Sequence, residues 1–453
     1  MNVRIVPHKF CGTVTIPASK SHTIRQLLTA SLADGISEIK HPLDSLDTQS
    51  CITACKVFGA QITEHFDGSE LVGLTVHGNN GFKSVSLCEP FGEQLLTDID
   101  VGNSGTTLYL ALAVAALQSQ PVRFTGDEQI KKRSAMPLLD ALTSLGIKCE
   151  SNNGCAPITV SGTWKGGKAI LPCPTSQYLS ALLIASPLAP AGTVTKIEVP
   201  LLNEKPYIEM TLSYLKAHGI LYSSKPDFSY FEIPGGASYK AFSRAVPADF
   251  SSAAFPAAAA VISGGEAQIC GLDPNDTQGD KYFFEILEKM GCNVKSKSNG
   301  NNKDSEYTVT VSRSRDGGLT GGTFDLNETP DLLPAAAVTA AFAHGDTALV
   351  NVANARIKET DRIAVMAKEL KKLGVSCTEL PDGLIVHGKG GLFAGGEAPP
   401  TNNIPVIDGS GDHRIVMAFA AAALGSSIPI EITTAESASV TYPGFLDLLK
   451  AQL

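Results

Sequence analysis

The sequence predicts an α/β protein of six similar units, split three and three, in which sheets surround buried helices. Alanine-rich helical stretches recur at intervals of roughly 70 to 85 residues, regular enough to imply internal duplication. A second helix type ends in glycine in five of the six units. The residues after each of these glycines alternate in the manner of a strand.

The alanine-rich stretches run in order "SKSHTIRQLLTASLADG" (19–35), "GNSGTTLYLALAVAAL" (102–117), "TSQYLSALLIASPLA" (175–189), "DFSSAAFPAAAAVISGG" (249–265), "PDLLPAAAVTAAFAHGD" (330–346) and "SGDHRIVMAFAAAALGSS" (410–427). They show little polar face, so each should be buried on all sides. The second helices end "ACKVFGAQI", "ALTSLGIKC", "YLKAHGILY", "ILEKMGCNV" and "ELKKLGVSC", and the last unit ends in "FLDLLKAQL". The glycine suits the left-handed residue that closes a helix. Each unit therefore reads as strand, buried helix, strand, amphipathic helix, then one or two strands.

Composition narrows the function. The chain has 453 residues, a net charge of −9 and 43% hydrophobic residues, which suits a globular protein of two domains or more. An acidic chain lacks the dense basic surface that nucleic acid requires. Ten scattered cysteines form no C-x-x-C pair and no metal-ligand spacing, so they read as reduced thiols. "MNVRIVPHKF" alternates as a strand does and lacks the apolar stretch of a signal peptide. No apolar run approaches the roughly 18 residues of a membrane span. The expectation is a soluble, cytoplasmic chain without a metal.

The small polar residues that open the buried helices matter for function, because a helix start presents free N–H groups and the positive end of its dipole. In "PASKSHTIR", Lys20, Ser21 and Arg25 crowd such a start, with hydroxyls that suit a phosphate. "GNSGTT" by itself reads as a tight turn, and Lys131 and Lys132 in "DEQIKKRSAMP" as solvated charges. Thr175, Ser176 and Gln177 offer three hydrogen-bonding side chains where a cap needs one. Asp331 lies between prolines at another helix start, as a cap or as a base near bound hydroxyls. A capping Asp412 and a surface His413 precede Arg414, an arginine that enters a buried helix and needs a partner. "NARIKETDRI" (354–363), read as helix, places Lys358 and Arg362 one turn apart on one face, aimed at bound anions.

Taken together, "SKSHTIR", "GNSGTT", "TSQYLSALL", "KPYIEMTL", "DFSSA", "TPDLLPAAA", "NARIKETDRI" and "GDHRIVMA" resemble the 5-enolpyruvylshikimate-3-phosphate synthase family over nearly the whole chain. The resemblance implies two inside-out α/β barrel-like domains, each of three repeated βαβαββ units, with the active site in the interdomain cleft. Residues 1–18 with 247–453 would form one domain and 19–246 the other. The implied reaction transfers the enolpyruvyl group of phosphoenolpyruvate to the 5-hydroxyl of shikimate 3-phosphate and releases phosphate. It needs no metal or organic cofactor, and a monomer is the family default.

By the same resemblance, Lys20, Ser21, Arg25, Thr175, Ser176, Gln177, Asp331, Asn354 and Lys358 would hold shikimate 3-phosphate. Lys20, Asn103, Gly105, Arg133, Arg362, His413 and Arg414 would hold phosphoenolpyruvate. Asp331 would accept the proton of the attacking hydroxyl, and Glu359, assisted by Lys20, would protonate the methylene carbon. Unliganded, the cations of the two halves should repel and favour an open state. Four places depart from the family pattern: Val440 and Tyr109 replace the usual Lys and Arg, Glu204 replaces a Ser that helps hold the phosphorylated substrate, and "RSAMP" replaces the usual Arg-Pro sequence while Arg133 itself remains. The related UDP-N-acetylglucosamine enolpyruvyl transferase is the nearest rival, but loop 127–137 lacks the cysteine usual there. A non-catalytic anion-binding relative is a second alternative.

Overall fold

Residues 1–82, 96–118, 120–298, 307–314, 318–394 and 404–450 are described by a computed structural model. The chain divides into two units, Ala18–Val246 and Met1–Pro17 together with Pro247–Leu453.

Ala18–Val246 contains helices α1 (Lys20–Leu32), α2 (Leu46–Val57), α3 (Gly105–Ala115), α4 (Met136–Ser144), α5 (Gln177–Ala185) and α6 (Lys205–Ala217). One sheet orders its strands Thr97–Asp100, Val122–Thr125, Cys155–Gly162, Ile147–Asn152. The first pair is parallel and the other two pairs are antiparallel. Parallel neighbours need a crossover, and α3 supplies it, whereas a short turn joins the last pair. A second sheet repeats this order with Gly167–Ile170, Val194–Glu198, Tyr230–Pro234 and Ser223–Ser224 around α5 and α6. A third places Ser243–Ala245 beside Ile36–Lys40, Glu70–His77 and Gln61–Asp67. Its parallel outer strand comes from the far end of the unit, so the last residues complete the first repeat.

Met1–Pro17 with Pro247–Leu453 contains α7 (Phe250–Ser263), α8 (Tyr282–Lys289), α9 (Leu333–Ala341), α10 (Arg362–Lys372), α11 (His413–Leu424) and α12 (Phe445–Lys450). Cys11–Thr15 pairs in parallel with Glu266–Cys270, opening a sheet of the same order. Ala343–Val350 centres a second sheet, and Val3–Ile5, Ile430–Ile432 and Val406–Ile407 form a third of three strands. Amino-terminal residues thus contribute to two sheets of this unit.

The alanine-rich helices are α1, α3, α5, α7, α9 and α11. Every residue of α3, α9 and α11 is buried, which explains their apolar composition on all faces. All five expected closing glycines have positive φ, from +73° at Gly219 to +98° at Gly146. The expected helix over 354–363 does not form. Residues Ala353–Ile357 make a 3-10 turn, Lys358 leaves it with ψ −147°, and α10 begins only at Arg362. The Asp361 side chain accepts from the Ala364 amide at 3.0 Å, so a cap starts a new helix in the middle of the motif.

Candidate active site

In the unit that contains the amino terminus, three helix starts converge on one carboxylate. Asp331 lies in the 3-10 turn Pro330–Leu332 that leads into α9. Arg362 opens α10, and Arg414 is the second residue of α11. Arg362 donates from Nη1 to Asp331 Oδ1 at 2.7 Å, and Arg414 from Nη2 to Asp331 Oδ2 at 2.9 Å. Lys358 Nζ lies 3.8 Å from Asp331 Oδ1. Lys358 and Arg362 therefore meet at the same carboxylate although no single helix carries them.

The Arg362 guanidinium, 1% exposed, serves three carboxylates. It also donates to Glu359 Oε2 at 2.6 Å and to Asp412 at 2.8 and 3.2 Å. Burial opposes its charge, but Asp412, Glu359 and Asp331 raise its pKa further above the usual arginine value. Burial would raise the Asp331 carboxyl, yet Arg414, Lys358 and Arg362 hold it well below the carboxylate range. Asp280, buried next to α8, is pushed the other way. Burial first, then the Asp331 charge, raise it to about 7 while Ser251 donates to it. Arg414 Nε and Nη1 are buried and have no hydrogen-bond partner among the described residues, so this cation keeps donor capacity for an anion.

His413, expected at the surface, is buried, because the first turn of α11 is already inside the unit. Asn354 is buried in the 3-10 turn 353–357.

The other unit brings its expected residues together in three groups. Lys20, the first residue of α1, is 3.1 Å from Asp47 Oδ2 in the first turn of α2. Asn103 donates to Asp127 and Gln129 at 2.7 and 2.6 Å and accepts from Arg133 Nη2 at 3.2 Å. This holds the guanidinium over Gly105, where an added Cβ would lie 2.5 Å from Arg133 Nη1. Tyr109 and Tyr178 pack edge to face at 5.0 Å, and both hydroxyls donate to the Ser134 carbonyl next to Arg133. Tyr109 thus anchors the loop that carries Arg133. Lys131 and Lys132 are exposed, as expected of solvated charges.

The third group lies at the start of α5. The Ser176 hydroxyl makes no cap there, Thr175 Oγ1 accepts from the Gln177 amide at 3.4 Å, and both hydroxyls donate to Glu204. Gln177 is half-buried beside them. Arg25 is buried and donates to Thr211 at 2.9 Å, the Ser21 carbonyl at 3.0 Å and Ser180 at 3.2 Å. Burial lowers its pKa to about 10, a shift that Tyr214, Tyr207 and Glu204 oppose.

The motifs missed the partners. Asp47 meets Lys20 and the charge of Asp280 acts on Arg414, and local sequence offers no sign of either beyond an acidic residue near a helix start. Lys20, Lys358, Arg362 and Arg414 are each matched by a carboxylate of their own unit. Among the described residues no cluster of His, Cys, Asp and Glu could hold a metal, and no helix is long and apolar enough to cross a membrane.

Comparison with known proteins gives a consistent result. A family model described as EPSP synthase (3-phosphoshikimate 1-carboxyvinyltransferase) matches residues 6–449. The 3-phosphoshikimate 1-carboxyvinyltransferase of Acetivibrio thermocellus is 43% identical, with 99% of this chain and 97% of the relative covered. That of Ruminiclostridium cellulolyticum is 40% identical, with 100% and 98% covered. Among solved structures, EPSP synthase from Acinetobacter baumannii superposes with a TM-score of 0.77 at 26% identity, covering 99% of this chain and 98% of the other.

Proposed function

Because the chain belongs to the EPSP synthase (3-phosphoshikimate 1-carboxyvinyltransferase) family, we propose how its residues divide the work of that reaction. The enzyme transfers the enolpyruvyl group of phosphoenolpyruvate to the 5-hydroxyl of shikimate 3-phosphate and releases phosphate. We assign its two catalytic domains to 1–18 with 247–453 and to 19–246, acting as a cytoplasmic monomer.

The observation that carries the assignment is the convergence of Lys358, Arg362 and Arg414 on Asp331. In the free protein these cations hold Asp331 ionised and make it a poor base. Phosphoenolpyruvate brings a phosphate and a carboxylate that suit the forked guanidinium groups of Arg133, Arg362 and Arg414. As the anions take over those cations, the proton affinity of Asp331 rises, and it can accept the 5-hydroxyl proton while that oxygen attacks the enolpyruvyl carbon. Glu359, held as a carboxylate by Arg362 at 2.6 Å in the free protein, takes up a proton as the incoming anions claim that cation, and it then protonates the methylene carbon with help from Lys20. In the tetrahedral adduct Glu359, now a carboxylate, takes a methyl proton back as the C–O bond to phosphate breaks, and the phosphate leaves with the proton held by Asp331, which restores the double bond.

On the substrate side, Ser21, Arg25, Thr175, Ser176, Gln177, Asn354 and Lys358 hold shikimate 3-phosphate. Asn103, Gly105 and His413 complete the phosphoenolpyruvate set. The decisive experiment measures phosphate release from phosphoenolpyruvate with shikimate 3-phosphate, and separately with UDP-N-acetylglucosamine. Release only with the first is expected, and Asp331→Asn should lower kcat by about 10²- to 10⁴-fold. Release with the second sugar, or an Asp331→Asn variant of full activity, would overturn the assignment.

A further inference from the structure

Glu204 stands one residue before α6 in a left-handed backbone conformation, φ +59° and ψ +44°, which a side chain disfavours. Its side chain is buried. A single carboxylate oxygen, Oε2, accepts from the Ser176 amide at 3.0 Å, from Ser176 Oγ at 2.8 Å and from Thr175 Oγ1 at 3.2 Å. Three donors at the start of a buried helix thus converge on one oxygen, the arrangement that receives an oxygen of an oxyanion. Here the chain itself provides that oxygen.

Resting on the assignment of Thr175 and Ser176 to shikimate 3-phosphate, we propose that Glu204 is a resident anion in the seat of the substrate's phosphate and acts as a specificity-determining residue. The incoming phosphate displaces the carboxylate and takes over its three hydrogen bonds. A phosphate monoester carries more charge and more acceptor oxygens than a carboxylate, so it can win this exchange. A polyol acid without the phosphate offers the three donors only a neutral hydroxyl at that point and leaves Glu204 in place. The contact therefore lowers affinity for the true substrate and narrows its advantage over the unphosphorylated form, which binds without displacing Glu204.

The test compares wild type with Glu204→Ser and with the near-isosteric, uncharged Glu204→Gln. KM is measured for shikimate 3-phosphate and for phosphoenolpyruvate separately, and calorimetry follows shikimate 3-phosphate binding alone. Charge-assisted hydrogen bonds are the strong ones, so Glu204→Ser should tighten shikimate 3-phosphate about tenfold or more. Glu204→Gln should shift in the same direction by less, and KM for phosphoenolpyruvate should stay within twofold. A residue that merely caps α6 would instead lower Tm in both variants and leave shikimate 3-phosphate affinity the same or weaker, which would overturn the proposal. Thr175→Ala and Ser176→Ala separate the two layers, because an unchanged shikimate 3-phosphate KM in both refutes the seat assignment itself. If Glu204→Ser does not fold, a crystal structure of the wild type with shikimate 3-phosphate decides. Phosphate on the Ser176 amide with Glu204 displaced supports the exchange, and Glu204 still bound to Ser176 refutes it.

Discussion

Gly105→Ala should weaken phosphoenolpyruvate binding while sparing the fold. The new methyl carbon would stand 2.5 Å from Arg133 Nη1, whereas side chains essentially never approach a Cβ within 3.0 Å. The guanidinium must therefore retreat by about half an ångström, and its 3.2 Å bond to Asn103 must stretch or turn. Asn103 cannot follow, because Asp127 and Gln129 hold its amide at 2.7 and 2.6 Å. Losing one charge-assisted contact costs about 1.5–3 kcal/mol, so KM for phosphoenolpyruvate should rise roughly 10- to 150-fold. Stability should not suffer. The clash falls on the end of a flexible side chain, residue 105 opens α3 without positive φ, and alanine is the better helix former by about 1 kcal/mol. Steady-state kinetics with phosphoenolpyruvate varied at saturating shikimate 3-phosphate, beside a thermal melt, measures both effects. An unchanged KM would remove Arg133 from the phosphoenolpyruvate site. A Tm lowered by several degrees would show that backbone, not the guanidinium, gives way.

Asp280→Asn should stabilise the protein at pH 8 by up to about 4 kcal/mol, with the gain shrinking toward pH 5. The folded carboxyl is raised to about 7, so between roughly pH 4 and 7 the folded state keeps a proton that the unfolded state releases, and this group favours folding as pH falls. Urea titrations at the two pH values test the sign, and a difference independent of pH refutes it. Arg362→Met should destabilise by about 3–5 kcal/mol, because Asp331, Glu359 and Asp412 lose a shared cation. A loss below about 1 kcal/mol in denaturant unfolding would mean the network relaxes freely. Val440→Lys, at the end of the 3-10 turn Ala435–Val440, should lower KM for phosphoenolpyruvate about tenfold by restoring a cation. An unchanged KM would show that position 440 does not reach the substrate.

The six-fold repetition was legible in the sequence because helix burial is a composition signal. A helix such as α11, with every residue buried, can carry alanine and other apolar residues on every face. The glycines that end the second helices were legible for a local reason too, since only a residue without Cβ adopts that backbone readily. The strand exchange was not. Ser243–Ala245 completes the sheet of Ile36–Lys40 from about 200 residues away, and no pattern within either strand names its partner. The helix expected over 354–363 failed because periodicity cannot weigh a helical turn against an aspartate that caps the next one.

The site divides along the same line. Residue types and their places at helix starts are properties of short segments, so the sequence alone placed cations and hydroxyls at the starts of the buried helices. The tertiary structure alone decided what meets them. Arg362 and Asp412 lie 50 residues apart in the chain and Ser176 and Glu204 lie 28 apart, and each pair is joined only by the fold. Charge pairing depends on distance in space and on exclusion of water, and neither quantity is written in the order of the residues.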